Sequence, residues 1–316
     1  MFSKSLNILA ATLACSSLCQ PALSLPTVEK RDNAATPRNV LYVQTFTDSN
    51  NNFYNLTDLV TQSTGITHVI LASLHLDSPT ELHLNDNDIT SSYWDPLWPM
   101  VSSLQSSGVK VMLMMGGAAA GSWANIASDF DSYYPPILKV LQDHSLDGFD
   151  FDVEEDVSQD ALVQLAQQLD SDLGTDFIIT GAPVASAMSG GGNLDNVDWA
   201  SLDAAATSSN RPNGKLFNWY NTQFYDGWGD ASSTGSYDSI ISAGWDASRI
   251  VLGVLTSGGE GSGYDDLSTL SSTISSLKSS YSNFGGISGW EYGGAGSSDS
   301  DDPNQWVAAI SAALSS

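Results

Sequence analysis

Between residues 147 and 154 the chain reads Asp-Gly-Phe-Asp-Phe-Asp-Val-Glu, so Asp150, Asp152 and Glu154 alternate with Phe151 and Val153. A period of two is the repeat of a β-strand, which sends successive side chains to opposite faces. The carboxyls of Asp150, Asp152 and Glu154 are therefore expected on one face and the apolar side chains on the other. Burying a row of carboxylates is costly unless they are paired or protonated. A strand that accepts that cost marks a site. A calcium-binding helix–loop–helix would need glycine where Glu155 stands and an acid where Ala161 stands. A solvated acidic turn would not need Phe151 and Val153 interleaved.

Seven further apolar runs have strand length: 40–43, 66–76, 109–115, 177–180, 217–225, 250–255 and 286–292. Helical patterns fall between or after them, at 53–62, 93–105, 128–144, 159–173, 267–281 and 305–314. Pro135-Pro136 is expected to begin or kink the third of these. The Ser/Gly stretches 256–263 and 293–300 read as loops after the seventh and eighth strands. Eight short strands alternating with helices predict an α/β fold, a single-domain (β/α)8 TIM barrel. No glycine-rich phosphate fingerprint follows the first strand, which disfavours an open doubly wound sheet.

The start of the chain does not share this pattern. Lys4, the apolar run Leu6 to Leu18 and the small residues after it predict a secretory signal peptide over 1–24. Lys30-Arg31 then predicts removal of a pro-segment over 25–31, leaving 32–316 as the barrel. Both cysteines, Cys15 and Cys19, fall inside the expected signal segment, so disulfides and thiolate chemistry are excluded from the mature chain. The sequon at Asn55 is a candidate glycosylation site. These features predict an extracellular protein, in the medium or at a cell wall.

Ten basic against 36 acidic residues give a net charge of −26, which speaks against nucleic acid and anionic membranes as partners. A hydrophobic content of 41%, with nine tryptophans, argues for a packed core rather than disorder. The four histidines show no metal-ligand spacing, so neither a metal nor another cofactor is expected, and a monomer suffices.

In such a barrel the active site lies at the carboxyl ends of the strands. Glu154 is expected to end the fourth strand and project into the mouth. Partial burial and the nearby charge of Asp152 would raise its pKa, making it a candidate general acid. Asp147 lacks the parity of the row and is expected to be structural. Tyr93, Trp94, Trp98, Trp123 and Trp228 are aromatic residues that could stack on a ligand, although packing is the better reading of Trp98.

The pattern Asp147-x-x-Asp150-x-Asp152-x-Glu154 resembles the signature of glycoside hydrolase family 18, the chitinases and endo-β-N-acetylglucosaminidases. Gln223-Phe224-Tyr225 is similar to the family's Gln-x-Tyr segment, and Trp290 to the tryptophan that ends its eighth strand. The segments 83–86, 182–187, 219–225 and 289–292 resemble small secreted fungal endo-β-N-acetylglucosaminidases. The family implies retaining hydrolysis in which the substrate supplies its own nucleophile. Glu154 would then be acid and base, Asp152 the partner of the acetamido N–H, Asp150 its deeper support and Tyr225 the donor to the acetamido carbonyl. Trp290 would form the apolar floor, Gln223 would contact substrate, and Trp228 would border the site from its loop. The implied substrate is a GlcNAc-containing glycan, either the N-glycan core or chitin; a non-hydrolytic lectin on the same barrel is the remote alternative. One departure stands out: Met114-Met115-Gly116-Gly117 occupies the place of Ser-x-Gly-Gly. Gly116 and Gly117, which let backbone approach the ligand, remain, but the serine is absent.

Overall fold

The computed structural model describes residues 36–296 and 302–316. The expected signal peptide, pro-segment and both cysteines lie outside the described residues, as does part of the last Ser/Gly loop. In chain order the strands are β1 (Arg38–Val43), β2 (His68–Ser78), β3 (Glu81–Leu84), β4 (Asn87–Asp88), β5 (Lys110–Gly116), β6 (Gly148–Asp152), β7 (Ile178–Gly181), β8 (Trp219–Gln223), β9 (Ile250–Leu255) and β10 (Gly286–Trp290). Eight of them pair in parallel in the order β1-β2-β5-β6-β7-β8-β9-β10, and β1 also pairs with β10, closing the expected barrel. The extra strands β3 and β4 form an antiparallel flap that continues from β2.

Alternation along each strand builds two apolar layers. Tyr42, Ala72, Met112, Met114, Ile178, Trp219 and Val251 fill the inside of the barrel. Leu41, Val69, Leu113, Phe149, Phe151 and Ile179 face outward into the helix layer. Phe151 packs against Trp123 and Phe217, each with ring centroids 5.2 Å away. Burying a phenylalanine in this way contributes roughly 2–3 kcal/mol.

The helices cover the outside, and their ends follow local chemistry. Helix Gln159–Leu173 starts where the Ser158 side chain accepts from the Ala161 N–H and stops at Gly174. Helix Leu267–Ser280 starts at Asp266, which accepts from the Thr269 N–H. Some expected boundaries move. Of 53–62 only Asp58–Thr61 is helical. The 93–105 segment becomes a short 3-10 turn followed by helix Leu97–Ser106. The expected 128–144 helix runs Phe130–Asp143, with Pro135 and Pro136 inside it rather than at its start, because Asp129 caps it six residues before Pro135. Among the described residues no helix is long and apolar enough to cross a membrane.

Candidate active site

β6 places Asp150 and Asp152 inside the barrel, both buried, and ends there. Glu154, expected as the strand's last residue, lies two residues beyond it, and the period of two still carries it to the same side. Its side chain is partly exposed at the mouth. The same parity on β8 brings Asn221 and Gln223 inward and Tyr225 to the mouth, two residues past the strand end.

Asp150 lies deepest. Its carboxylate accepts from the Tyr42 hydroxyl at 2.7 Å, the Thr180 hydroxyl at 2.5 Å and the Asn221 amide at 3.3 Å. Burial raises its pKa, and those three hydrogen bonds oppose the rise. Asp152 accepts from the Gln223 side-chain amide at 3.2 Å, and the same nitrogen lies 3.4 Å from a Glu154 oxygen. That nitrogen is fixed by the Ala182 carbonyl, 2.9 Å away. Asp152 is held well above the carboxylate range by burial, and then by the charges of Glu154, Asp150 and Asp195. Glu154 is also raised, by burial above all, with Asp226 adding to the shift and the Gln223 hydrogen bond opposing it. Among the described residues no lysine or arginine lines the cleft around these acids, so no cation offsets the rise.

The cleft above the row encloses about 490 Å³, and Ser73, Gly117, Tyr225, Trp228, Glu260 and Trp290 line it. The Tyr225 hydroxyl has no hydrogen-bond partner among the described residues, and burial together with Asp152 and Glu154 keeps it protonated. Trp290 leans on Tyr42, with centroids 5.5 Å apart. Just beyond it, buried Glu291 accepts from the Gln44 and Thr45 N–H groups at 3.1 Å, tying the end of β10 to that of β1.

The two glycines after β5 divide their work. A Cβ on Gly116, at φ +106°, would meet the Asp152 carbonyl oxygen at 1.9 Å, so Gly116 serves close backbone packing against β6. Gly117 faces the cleft, where a Cβ would lie 3.4 Å from an Asp152 carboxyl oxygen. The serine absent from residue 114 has a counterpart on the next strand: the Ser73 hydroxyl donates to the Gly116 carbonyl at 2.5 Å. Trp123, expected as a stacking candidate, is buried and donates to the Asp152 carbonyl at 2.9 Å. Trp94 is buried in the outer core, Tyr93 packs on Phe53 and Trp94, and Trp98 stacks on His144; none of the three lines the cleft. Trp228 does.

Asp147 stands apart from the row, as its parity requires. It accepts from Lys110 at 2.8 Å and from the Val111 N–H at 2.9 Å, bracing the start of β5. Asn55 is exposed, and its amide donates to Asp58 at 2.8 Å. Sequence reasoning missed Tyr42, Thr180, Asn221 and Ser73, and also the rim acids Asp195, Asp226 and Glu260. Among the described residues no group of His, Asp or Glu side chains is arranged to hold a metal ion.

A closed parallel barrel with carboxyls of raised pKa at its carboxyl-terminal mouth, in a cleft that Trp228 and Trp290 also line, defines an acid–base site of the kind that cleaves glycosidic bonds. The chain belongs to glycosyl hydrolases family 18, whose model matches residues 38–269. Its structure resembles that of a fungal endo-beta-N-acetylglucosaminidase of this family, at 35% identity over 89% of this chain and 99% of that one, with a TM-score of 0.80. It equally resembles a chitinase from Aspergillus fumigatus, at 39% identity over 88% and 100% of the two chains, with a TM-score of 0.78. In sequence it is 25% identical over 146 residues to Endochitinase 4 of Metarhizium anisopliae, which covers 43% of this chain and 51% of that protein. The chain thus spans about half, or less, of the length of the curated relatives it matches. Enzymes of the family act on chitin or on other GlcNAc-containing glycans.

Proposed function

We propose that the protein is a secreted retaining hydrolase of GlcNAc-β-1,4-GlcNAc bonds, acting on the chitobiose core of N-glycans. The observation that carries the chemistry is the single Gln223 amide shared by Asp152 and Glu154, which sets both acids over one sugar position. Glu154, its pKa raised by burial, donates its proton to the glycosidic oxygen as that bond breaks. The 2-acetamido oxygen attacks the anomeric carbon and gives an oxazolinium ion, so no protein carboxylate forms a covalent bond. Asp152 orients the acetamido N–H, Asp150 backs it from below, and the unpartnered Tyr225 hydroxyl meets the acetamido carbonyl. Water then attacks the anomeric carbon, the oxazolinium C–O bond opens to restore the acetamide, and ionised Glu154 takes the proton that the water loses. Trp290 presents an apolar face to the ring of the bound sugar.

The preference for N-glycans rests on the segments 182–187 and 219–225, which resemble endo-β-N-acetylglucosaminidases, the second of them carrying Gln223 and Tyr225 into this site. The 39% identity to a chitinase favours chitin as the second reading. Incubation with a high-mannose glycoprotein and with chitin oligomers decides between them. Release of the glycan with one GlcNAc left on the protein is the expected result; chitin fragments without deglycosylation would overturn the preference. A thiazoline analogue of the oxazolinium ion is expected to inhibit, and lack of inhibition would count against substrate assistance. The signal-like start and the exposed sequon at Asn55 support export and glycosylation, which N-terminal sequencing and glycosidase treatment of the secreted protein would check.

A further inference from the structure

A second cleft, of about 620 Å³, opens beside the catalytic one and is continuous with it through Gln44, His75 and Ala119, which line both. Its wall is the flap. His75 on β2 stands directly opposite His83 on β3, and Asp77, two residues along β2, shares their face and pairs with His83 at 3.0 Å. The flap is anchored rather than loose. Asn85 accepts from the Ser73 N–H at 3.0 Å and donates to the Gln44 carbonyl at 2.6 Å. The facing wall is fixed as well, because Glu155 accepts from the Gly121 and Trp123 N–H groups at 2.9 and 2.8 Å. The side chains of His75, Gln44 and Asp86 have no hydrogen-bond partner among the described residues and line this space.

The two clefts differ in kind. The catalytic cleft carries Tyr225, Trp228 and Trp290, whereas no tryptophan, tyrosine or phenylalanine lines the second. A linear β-1,4-linked chain is flat and apolar on both ring faces, and it binds best along aromatic surfaces. An α-mannosyl unit has an axial 2-hydroxyl beside an equatorial 3-hydroxyl, a pair suited to carboxylate, imidazole and amide partners. The second cleft also leaves from β1 and β2, across the barrel from β8, whose Gln223 holds Glu154. A branch on the glycone can enter it while the leaving group departs on the side of the acid.

We infer that this polar cleft binds a mannosyl branch of the glycan, with His75, His83 and Asp86 as specificity residues. The inference rests on the N-glycan reading above and names the part of that substrate chitin lacks. The test compares kcat/KM for a high-mannose glycopeptide, chitohexaose and a chromogenic chitobioside, in the parent protein and in His83→Ala and Asp86→Ala, the two residues that line the second cleft alone. Each variant is expected to lose about tenfold on the glycopeptide, mainly through KM, as expected when one or two hydrogen bonds to a ligand are lost. Turnover of chitobioside and chitohexaose should stay unchanged, which also shows that the variants fold. Asp86 is exposed and unpartnered among the described residues, so its truncation tests the cleft even if His83→Ala misfolds. An equal loss on chitohexaose would overturn the inference in favour of a linear chain, and no loss on any substrate would overturn it outright. A parent protein that cleaves chitohexaose but not the glycopeptide would overturn the N-glycan reading itself, and this inference with it.

Discussion

Two groups of acids in this barrel are similarly enclosed and titrate in opposite directions. Asp203, on the outside, is ringed by Arg249, by Lys215 at 3.0 Å and by the Tyr220 hydroxyl at 2.9 Å. Burial alone would raise its pKa, but the Arg249 hydrogen bonds and charge, with Lys215 and Tyr220, bring it below the ordinary value. Asp150, Asp152 and Glu154, on the inside, have hydroxyl and amide donors but no cation, and all three are raised. Asp203 sits on the helix Trp199–Ala205 and the inner acids on or just beyond β6, but Asp203, Asp150 and Asp152 are all buried, and what differs is the neighbouring charge. Asp203 is offset by cations, whereas the inner acids, to which the proposed mechanism gives the proton transfer, have none beside them among the described residues.

That contrast breaks first at Glu154. Glu154→Gln keeps the shape and the Gln223 contact while removing the transferable proton. Turnover is expected to fall by about 10³-fold, in line with the loss of a general acid, with binding of an uncleaved chitin oligomer retained by calorimetry. Turnover within tenfold of the parent would end the assignment.

The mirror experiment is at Asp203. Asp203→Ala leaves Arg249 and Lys215 without their carboxylate, and the expected cost is about 3 kcal/mol of unfolding free energy. Asp152→Asn should instead slow the reaction strongly without that loss, because it strands no cation. Denaturant titrations of both variants, set beside their rates, would show the two effects separating. A comparable destabilisation in both would erase the distinction.

A pH series sharpens it further. A carboxyl whose pKa is higher in the folded than in the unfolded chain leaves the folded state holding more protons, so stability falls as pH rises. The window begins near the ordinary carboxyl value of about 4 and ends at the raised values of the inner acids. The inner row should therefore lower the unfolding free energy progressively above pH ~4, and Asp152→Asn should flatten that slope. Asp203 acts with the opposite sign, in the more acidic window below its unfolded value.

This distinction was only partly legible in the chain. The alternation at 150–154 gives the strand, its inward face and the conclusion that the acids are unusual, because a period of two is local. Asp147 was separable on parity alone. The partners were not, since Tyr42, Thr180 and Asn221 come from three other strands and meet Asp150 only once the barrel closes. Trp94 and Trp123 could be read as stacking residues because nothing in their neighbouring residues reports long-range packing. The flap escaped notice because β2 was expected to end at Leu76, although Ser78-Pro79-Thr80 is a turn sequence and the strand that follows it is short.

The smallest effect concerns the rim. Asp226 raises Glu154 by its charge, and it also holds the loop after β9 by accepting from the Ser262 N–H at 2.6 Å. Asn can keep that hydrogen bond and tolerates the positive φ of 53° at this residue. Asp226→Asn therefore removes the charge alone. Glu154 should then ionise at a lower pH, and the alkaline limb of the kcat/KM profile should move to lower pH with the maximal rate nearly preserved. A limb that stays in place would mean that burial alone sets the proton on Glu154. A limb that moves upward would mean that it does not report Glu154, and that the proton used in catalysis sits elsewhere in the row.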